Sequence, residues 1–357
     1  MRLGKGPYGW LSGGWLGVWG VLLVSACSFV ESDQDGQFDY GGDPLPGTES
    51  LFNLRFSPDG RWVALIRAYT PGRLDPPNQL WLVSRDGRQL RFLGAGIGSV
   101  DWSPDGKRLA LSYEPSLCCD SYVVTLDLGS GRVAVWTGLD SLLLSHPTAT
   151  FPHWFRDGRR LLVSVVLEPR DQPYRGGAYV LDLVLRRAIG PVAPMTAAMP
   201  GGRDRFAVGI MPQAEGGVYR ENVVRYEFGT GELRVLTDFG SEEAFTFSVA
   251  PSPVGDEVVL ERRVEGVPQL FLLDGRGRVL RQLTERGGHN PRWSYDGRAV
   301  VFLRDVEAGP GARNVPFVYW LEEDRVEVLW PMLPDSVPVF PALDTLLRDC
   351  LLCGKLP

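Results

Sequence analysis

The stretch Leu-Arg-Phe-Ser-Pro-Asp-Gly-Arg-Trp-Val-Ala-Leu at residues 54–65 decides the fold, because its central tetrapeptide recurs. Ser-Pro-Asp-Gly at 57–60 returns intact at 103–106, and degraded copies end at Gly158, Gly255 and Gly297. Successive repeat glycines are 46, 52, 97 and 42 residues apart. The interval of 97 is two periods, so we expect a decayed copy, without its aspartate, in the stretch that starts at Pro200. A repeat of this length predicts an array of six similar units.

Each unit contains more than the tetrapeptide. The repeat turn lies between two apolar segments, and a second pair follows, as at 79–92 and 122–136, around its own Gly-containing turn. Alternating apolar and polar residues around such turns are typical of antiparallel hairpins. Four short strands in each of six units predict an all-β fold, a six-bladed β-propeller of four-stranded antiparallel blades over residues 51–332.

The turn residues themselves have a structural explanation. Proline fixes φ, aspartate bonds the nearby backbone and glycine takes a positive φ without steric cost. The alternative is that the aspartates are catalytic or bind metal. Large apolar residues four positions before the repeat glycines predict packing between blades, with Pro251 the exception; they are Phe56, Trp102, Trp154 and Trp293.

These strand–turn–strand repeats resemble the WD-repeat-like propeller of the TolB family, over roughly residues 51–332. The resemblance implies the propeller type and little about activity. TolB proteins carry an α/β domain before the propeller, and the segment that precedes residue 51 here is too short for one. We therefore expect a TolB-like propeller without that domain.

The N-terminus predicts export and a lipid anchor. Basic Arg2 and Lys5 precede an uncharged apolar run over 10–26, which is typical of a signal peptide. Its end, Val-Ser-Ala before Cys27, resembles the bacterial lipobox. We expect cleavage after residue 26 and a diacylated, palmitate-bearing Cys27 that holds the protein on a membrane. An uncleaved spanning helix is the alternative, since the run is just long enough for one.

The segment from Cys27 to residue 50 is predicted to be a flexible acidic tether, because residues 28–50 contain six acidic and no basic side chains. Without the leader, 35 basic and 43 acidic residues give a net charge of −8. This charge argues against nucleic acid as the main partner. We expect a monomer that lies outside the cytoplasm on its membrane anchor. A short helix is expected in the tail over 333–357.

Four further cysteines form two sites, at the vicinal Cys118 and Cys119 and at Cys350 and Cys353. An even count in an exported protein favours disulfides. The middle turn of the second blade and the departing tail are expected on the same face, so pairing between the two sites is sterically allowed. A local bond between Cys350 and Cys353, a zinc site and redox chemistry are the alternatives.

Two sets of residues are candidates for function. Long irregular connections, including 167–177 and 211–221, are expected on the face opposite the repeat turns, and they carry side-chain types enriched at interfaces; these are Tyr69, Arg73, Arg170, Tyr174, Arg175, Tyr219 and Arg220. The positions five residues before the repeat glycines are expected to form a polar ring in the central channel; its candidates are Arg55, Asp101, His153 and Arg292.

No catalytic motif is present in the sequence. We therefore expect no catalytic residues, no cofactor and no metal, and a non-catalytic module that binds an envelope protein or a cell-wall component. The alternative is a propeller enzyme, a glycan lyase or hydrolase, with its site in the channel around Asp101 and His153.

Overall fold

The computed structural model describes residues 50–68, 78–114, 121–136, 149–167, 175–215, 218–238, 248–305 and 314–330. Within these ranges the strands form six antiparallel sheets of four strands each, which confirms the predicted all-β class and blade number. No helix in the described ranges is long and apolar enough to cross a membrane. The signal peptide, Cys27, the tether up to residue 49, the tail and the four other cysteines lie outside the described residues, whereas Ser50, predicted to end the tether, already belongs to the first strand.

Each blade consists of four strands that are consecutive in the chain. Blade 1 comprises β1 Ser50–Phe56, β2 Trp62–Ala68, β3 Gln79–Ser84 and β4 Leu90–Ala95, and blade 2 comprises β5 Ile97–Trp102, β6 Arg108–Tyr113, β7 Tyr122–Asp127 and β8 Val133–Trp136. Blade 3 comprises β9 Ala149–Trp154, β10 Arg160–Leu167, β11 Arg175–Asp182 and β12 Arg187–Ala193, and blade 4 comprises β13 Thr196–Gly201, β14 Phe206–Glu215, β15 Val218–Glu227 and β16 Leu233–Val235. Blade 5 comprises β17 Val249–Pro251, β18 Val258–Val264, β19 Val267–Leu273 and β20 Val279–Gln282, and blade 6 comprises β21 His289–Trp293, β22 Ala299–Asp305, β23 Asn314–Trp320 and β24 Arg325–Val328.

The core is divided into six apolar clusters, and each cluster joins two neighbouring blades. Alternation along β2 explains this division. Val63 and Leu65 face the cluster shared with blade 6, whereas Ala64 and Ile66 face the cluster shared with blade 2. Successive side chains of a strand point to opposite faces of its sheet, so a middle strand buried on both faces is apolar throughout.

The intact repeat turns are held by their own side chains, as predicted. In the first copy, Ser57 Oγ donates to Asp59 Oδ1 at 2.6 Å, and the same oxygen of Asp59 accepts from the N–H of Arg61 at 3.1 Å. Gly60 takes a φ of 68°, and its N–H donates to the carbonyl of Ser57 at 2.8 Å. The copy at 103–106 repeats these bonds. In the described copies the aspartates therefore have a structural role.

The aromatic residues that precede these turns join one blade to the next. The indole N–H of Trp102 donates to the carbonyl of Arg55 in the preceding blade at 3.1 Å, and that of Trp293 donates to the carbonyl of Ala250 at 2.9 Å. Trp154 packs in the cluster between blades 2 and 3. The predicted packing role of these positions is confirmed.

Two repeat turns differ from the expectation. The fourth blade lies where the spacing placed it, but its turn at 202–205 contains Asp204, which accepts from the N–H of Arg156 in blade 3 at 2.7 Å. Gly202, Arg203 and Asp204 all have positive φ there. In the fifth blade, Gly255 does not adopt a positive φ. A glycine at the repeat position is thus not sufficient for the left-handed turn when the preceding aspartate is missing.

The interpretation of residues 211–221 as an irregular loop is wrong. Strands β14 and β15 each run for ten residues and pair from Phe206 with Glu227 out to Glu215 with Val218. Backbone pairing along a continuous ladder satisfies the hydrogen-bonding groups of this segment, so it extends the blade instead of looping away from it.

The ring closes without exchange of a strand between the described parts of the first and last blades. The cluster at this junction combines residues of β1–β4 with Ala299, Val301 and Val318 of blade 6. After β24, Trp330 is buried against the β3–β4 turn, where its indole N–H donates to the carbonyl of Ser84 at 3.2 Å. Closure therefore rests on apolar packing and a few hydrogen bonds.

Candidate functional site

The innermost strands of the six blades bring the predicted ring positions together around the central channel. Arg55 of β1, Asp101 of β5, His153 of β9 and Arg292 of β21 line one cavity, together with Ala250 of β17. Strand β13 places Pro200 at the matching position, because Pro200 pairs with Ala207 as Arg55 pairs with Ala64. The predicted polar ring is thus formed, with polar members from four of the six blades.

Three members of the ring form a compact network. Arg55 Nε lies 3.4 Å from Asp101 Oδ1, and the other carboxylate oxygen of Asp101 lies 3.6 Å from His153 Nδ1. Arg55 Nη2 is 3.3 Å from the same His153 nitrogen. A guanidinium only donates, so the contact with Arg55 needs a lone pair on Nδ1, whereas a hydrogen bond to Asp101 needs a proton on the same nitrogen. The two contacts therefore compete for Nδ1 of the neutral imidazole. The N–H of Trp154 also donates to Asp101, at 2.8 Å.

Burial and charge set the protonation of this network. Burial lowers the pKa of His153 to about 4, although the hydrogen bond with Asp101 opposes the shift. Burial also lowers the pKa of Arg55 to about 10, and the charge of Asp101 opposes it. Burial alone would raise the pKa of Asp101, but the hydrogen bond with His153 and the charge of Arg55 hold it below its usual value. At neutral pH the network is therefore Arg⁺, Asp⁻ and neutral His.

Arg292 enters the channel from blade 6. Its Nη1 donates to Ser248 Oγ at 2.9 Å and to the carbonyl of Pro291 at 2.7 Å. Burial lowers the pKa of Arg292 and the charge of Arg55 adds to this shift, whereas Asp101 and Glu261 oppose it. The channel therefore contains two arginines of like charge, with Asp101 and Glu261 as the carboxyl groups that compensate them.

A second contact crosses the mouth of the channel, on the face that carries the repeat turns. The guanidinium carbon of Arg156, from the blade 3 turn, lies 4.4 Å from the ring centroid of Tyr295, from the blade 6 turn. Blades 3 and 6 are opposite each other in a ring of six, so this pair spans the axis. Arg156 also donates to the carbonyl of Pro253 in blade 5, at 3.4 Å.

The sequence contains a signal for this pair that our prediction did not use. The second position of the repeat turn is proline at 58, 104 and 253, but it is Arg156 in blade 3 and Tyr295 in blade 6. Proline is short and ends near the backbone, whereas arginine and tyrosine reach several ångströms further. In blade 4 the alignment of Pro200 with Arg55 puts Arg203 at this position. The replacements in blades 3 and 6 supply the two side chains that meet over the channel.

The network separates two cavities along the channel. The outer cavity, beneath Arg156 and Tyr295, has a volume of about 110 Å³ and receives residues from all six blades. The inner cavity, of about 30 Å³, is lined by polar groups that include Asn53, Ser99 and Asn290. His153, Met199 and Arg292 line both cavities. A ligand that entered through the mouth would therefore reach the charged ring at the bottom of the outer cavity.

The other predicted site residues are placed only in part. Arg175 lies in β11, and Tyr219 and Arg220 lie in β15, paired with Ala214 and Gln213, so these three belong to strands and not to irregular loops. The remaining binding-face candidates lie outside the described residues; they are Tyr69, Arg73, Arg170 and Tyr174. No group of three or more His, Cys, Asp or Glu that could hold a metal ion occurs among the described residues.

Comparison with known proteins finds similarity in structure alone. No family model matches the chain, and no curated protein matches it. Among solved structures, TolB from Acinetobacter baumannii superposes with a TM-score of 0.50 at 15% identity, covering 65% of this chain and 53% of TolB. The chain thus spans about half the length of that protein.

Propellers of peptidases are similar to the same degree. The β-propeller domain of the Trilobed protease from Pyrococcus furiosus, described as having an open velcro topology, gives a TM-score of 0.51 at 16% identity and covers 80% of this chain and 84% of that domain. The tricorn protease gives 0.56 at 16% identity and covers 82% of this chain and 27% of that protein. At such identities the likeness concerns the fold. The chain therefore has a TolB-like six-bladed β-propeller fold, and the propellers of these peptidases are similar to it in structure.

Proposed function

We propose that this chain is a lipid-anchored extracytoplasmic propeller that binds an envelope protein or a cell-wall component without transforming it. The observation that carries the proposal is the Arg156–Tyr295 pair over the channel mouth, above a cavity that ends in buried charges. The lipobox-like sequence before Cys27 supports the lipid-anchored, extracytoplasmic location.

The chemistry of the mouth suits recognition. Arginine and tyrosine are enriched among the residues that dominate binding energy, because each combines a large contact area with polar groups. Here both project from short turns on a rigid scaffold, so little conformational entropy is lost when a partner orders them. Beneath them, Arg55 and Arg292 provide positive charge at the bottom of a small cavity. A ligand segment that presents an acceptor or an acidic group toward the axis matches this arrangement.

The alternative function, a channel enzyme acting on glycan, has weaker support. A general base works best when its pKa lies near the working pH, whereas the pKa of His153 is about 4. Nδ1 of His153 is already in contact with both the guanidinium of Arg55 and the carboxylate of Asp101. The contact between Asp101 and His153 is better explained as part of a buried network that holds the inner strands together.

The test is a cross-linked pull-down of the full lipidated chain from its native envelope, read by mass spectrometry. We expect one stoichiometric partner that is lost from the Arg156→Ala, Tyr295→Ala double variant. The matched control is Arg186→Ala, which removes a cation–π contact with Trp136 far from the mouth and should leave capture unchanged. A Tyr174→Ala, Arg175→Ala variant tests in parallel the loop face that the sequence predicts.

The outcomes separate the two functions. Capture that survives loss of both Arg156 and Tyr295 would contradict binding at the mouth. Glycan fragments processed by the purified chain, and no longer processed after Asp101→Asn, would support the enzyme instead.

A further inference from the structure

The chain joins the propeller next to blade 6, at the end of the blades opposite the repeat turns. Strand β1 begins at Ser50, and the N–H of Leu51 donates to Asn314 Oδ1 at 3.1 Å. Asn314 begins β23 and pairs with Asp305, the last residue of β22. The repeat turn of blade 6 precedes β22, so Asp305 marks the far end of that strand. The chain that comes from Cys27 therefore reaches the propeller beside the ends of β22 and β23.

Arg304, the neighbour of this strand end, has a guanidinium that is fixed in place. The residue is half-buried, and its guanidinium carbon lies 4.3 Å from the ring centroid of Phe317 and 5.6 Å from that of Phe302. Nε donates to the carbonyl of Gly287 at 3.0 Å, whereas the two Nη nitrogens make no hydrogen bond with any described residue. A planar fork of N–H donors held in this way is suited to bind the oxygens of a phosphate.

A second arginine, Arg286, adds positive charge at the same place. It is exposed and directly precedes Gly287, the residue that holds Arg304. Burial lowers the pKa of Arg304, and the charge of Arg286 adds to this shift. Within the described ranges neither arginine forms an ion pair. Two guanidinium groups that repel each other favour an anion that both can reach.

The carboxylates of this region do not neutralise the two arginines. Asp305 contacts His289, with Oδ1 at 3.3 Å from Nε2. Glu265 and Glu285 are exposed, and in the described structure neither forms an ion pair with Arg286 or Arg304. The attraction for an anion is therefore local to the fixed guanidinium and does not come from a broad positive surface.

An exposed apolar pair lies against the same site. Val264 and Val267 pair across the two-residue turn between β18 and β19, and their side chains are 40% and 45% exposed. A Cβ built on Gly287 would lie 3.7 Å from the side chain of Val267 and 4.0 Å from that of Arg304, so the two side chains are neighbours. The other exposed large apolar residues of the described ranges belong to outermost strands or to the turn before one.

The surface of a bilayer matches this combination, because its headgroup phosphates lie directly above the acyl chains. The predicted anchor puts a membrane within reach of the site. As a flexible coil, residues 28–49 span about 25 Å between Cys27 and Ser50. A chain anchored at Cys27 therefore keeps this end of the propeller close to the membrane.

We propose that Arg304, together with Arg286, binds the phosphate of a phospholipid headgroup, while Val264 and Val267 contact the acyl region of the same membrane. This inference rests on the proposed lipid-anchored location and goes beyond it, because it fixes how the propeller stands on the membrane. The channel mouth lies at the opposite end of the blades and therefore points away from the membrane, toward a partner.

The test uses the full lipidated chain in vesicles of phosphatidylethanolamine with about one quarter phosphatidylglycerol. A photoreactive benzoylphenylalanine replaces Val267, and mass spectrometry identifies what it captures on illumination. We expect a phospholipid adduct. Arg286→Gln with Arg304→Gln should lower the yield of this adduct by at least about fivefold, the loss expected for one arginine at a membrane surface.

Two matched controls separate the site from general attraction to the membrane. Arg186→Gln with Arg187→Gln removes the same charge from the face of the repeat turns and should leave the adduct yield unchanged. Benzoylphenylalanine in place of Leu185, which is exposed on that face, should capture no lipid. If Arg304→Gln does not fold, Arg286→Gln alone replaces the double variant, with about a fivefold loss expected.

The proposal is overturned if the probe at Val267 captures no lipid, if the probe at Leu185 captures as much, or if the yield does not depend on the two arginines. A shift of the Arg304 Nε–H signal in NMR on addition of inorganic phosphate, without a lipid adduct, would assign the site to a soluble phosphate instead. The mass of the Cys27 peptide from the same sample reports the anchor separately. Acylated Cys27 without an adduct refutes this inference alone, whereas unmodified Cys27 refutes the proposed location.

Discussion

His153 should make the folded protein sensitive to mild acid. Its pKa falls from 6.5 to about 4 on folding, mainly through burial. Between these values the unfolded chain binds a proton that the folded chain does not, so the free energy of unfolding must fall as the pH drops through this window. At 1.36 kcal/mol for each unit of pKa, the loss between pH 7 and pH 4 is about 3 kcal/mol.

The neighbouring carboxylate does not account for this loss. The pKa of Asp101 is lowered in the folded state, so its contribution to stability is present above its unfolded pKa and is lost only below the window of His153. The pKa of buried Glu261 is raised, so protonation of Glu261 increases the free energy of unfolding as the pH falls, opposite to the effect of His153. This contribution is the same in all variants that keep Glu261.

The assay is urea unfolding of the full chain at a series of pH values, with His153→Gln compared with the natural protein. Glutamine stays polar but does not titrate, so we expect the difference in unfolding free energy between pH 7 and pH 4 to shrink by about 3 kcal/mol. His289→Gln, which leaves the channel network intact, is the matched control. The reasoning is refuted if His153→Gln and the natural protein lose stability in parallel.

Three further predictions concern stability, all measured by urea unfolding. Asp101→Asn leaves Arg55 buried without its counter-charge and should lower the free energy of unfolding by about 3–5 kcal/mol. Adding Arg55→Met should recover most of this stability. If the stability losses of the two single variants simply add in the double variant, the network is contradicted. Gly277→Ala brings a Cβ within 2.0 Å of a backbone oxygen of blade 4 at a φ of 85°. It should therefore lower the free energy of unfolding clearly more than Gly60→Ala. Gly60 has a similar φ but nothing close to its Cβ position, so its replacement should lower that free energy by about 1–2 kcal/mol. Trp330→Ala removes a buried closing contact between blades 6 and 1 and should cost about 3–5 kcal/mol, whereas a loss below 1 kcal/mol would show that closure does not depend on it.

Much of the fold could be predicted because each repeat turn is encoded within a few residues. Ser57, Asp59 and Gly60 hold their turn through mutual hydrogen bonds and a positive φ, so the tetrapeptide predicts the turn wherever it remains intact. Where the copy has decayed, the prediction failed in detail, as at Gly255. The long hairpin of β14 and β15 was missed because its pattern beyond Met211 is polar and does not resemble that of a buried strand.

The candidate site was predictable in outline. Counting back from the repeat glycines placed Arg55, Asp101 and His153 in one ring, because equivalent positions of a propeller face the same axis. The pairing among them was not predictable, since it depends on which side chains reach across from one blade to the next. The same limit applies to Arg156 and Tyr295, which are 139 residues apart in the chain and meet only because blades 3 and 6 are opposite.

The sequence by itself determined the number of blades, the repeat turns and the positions that face the channel, because these follow from hydrogen bonds and alternation within short segments. Only the tertiary structure decided that Arg108 of blade 2 reaches the carbonyl of Gly158 and the ring of Trp154 in blade 3. The physical reason is that such contacts join residues about fifty positions apart, whose separation in space is set by the curvature of the ring. The local pattern of either partner does not contain that information.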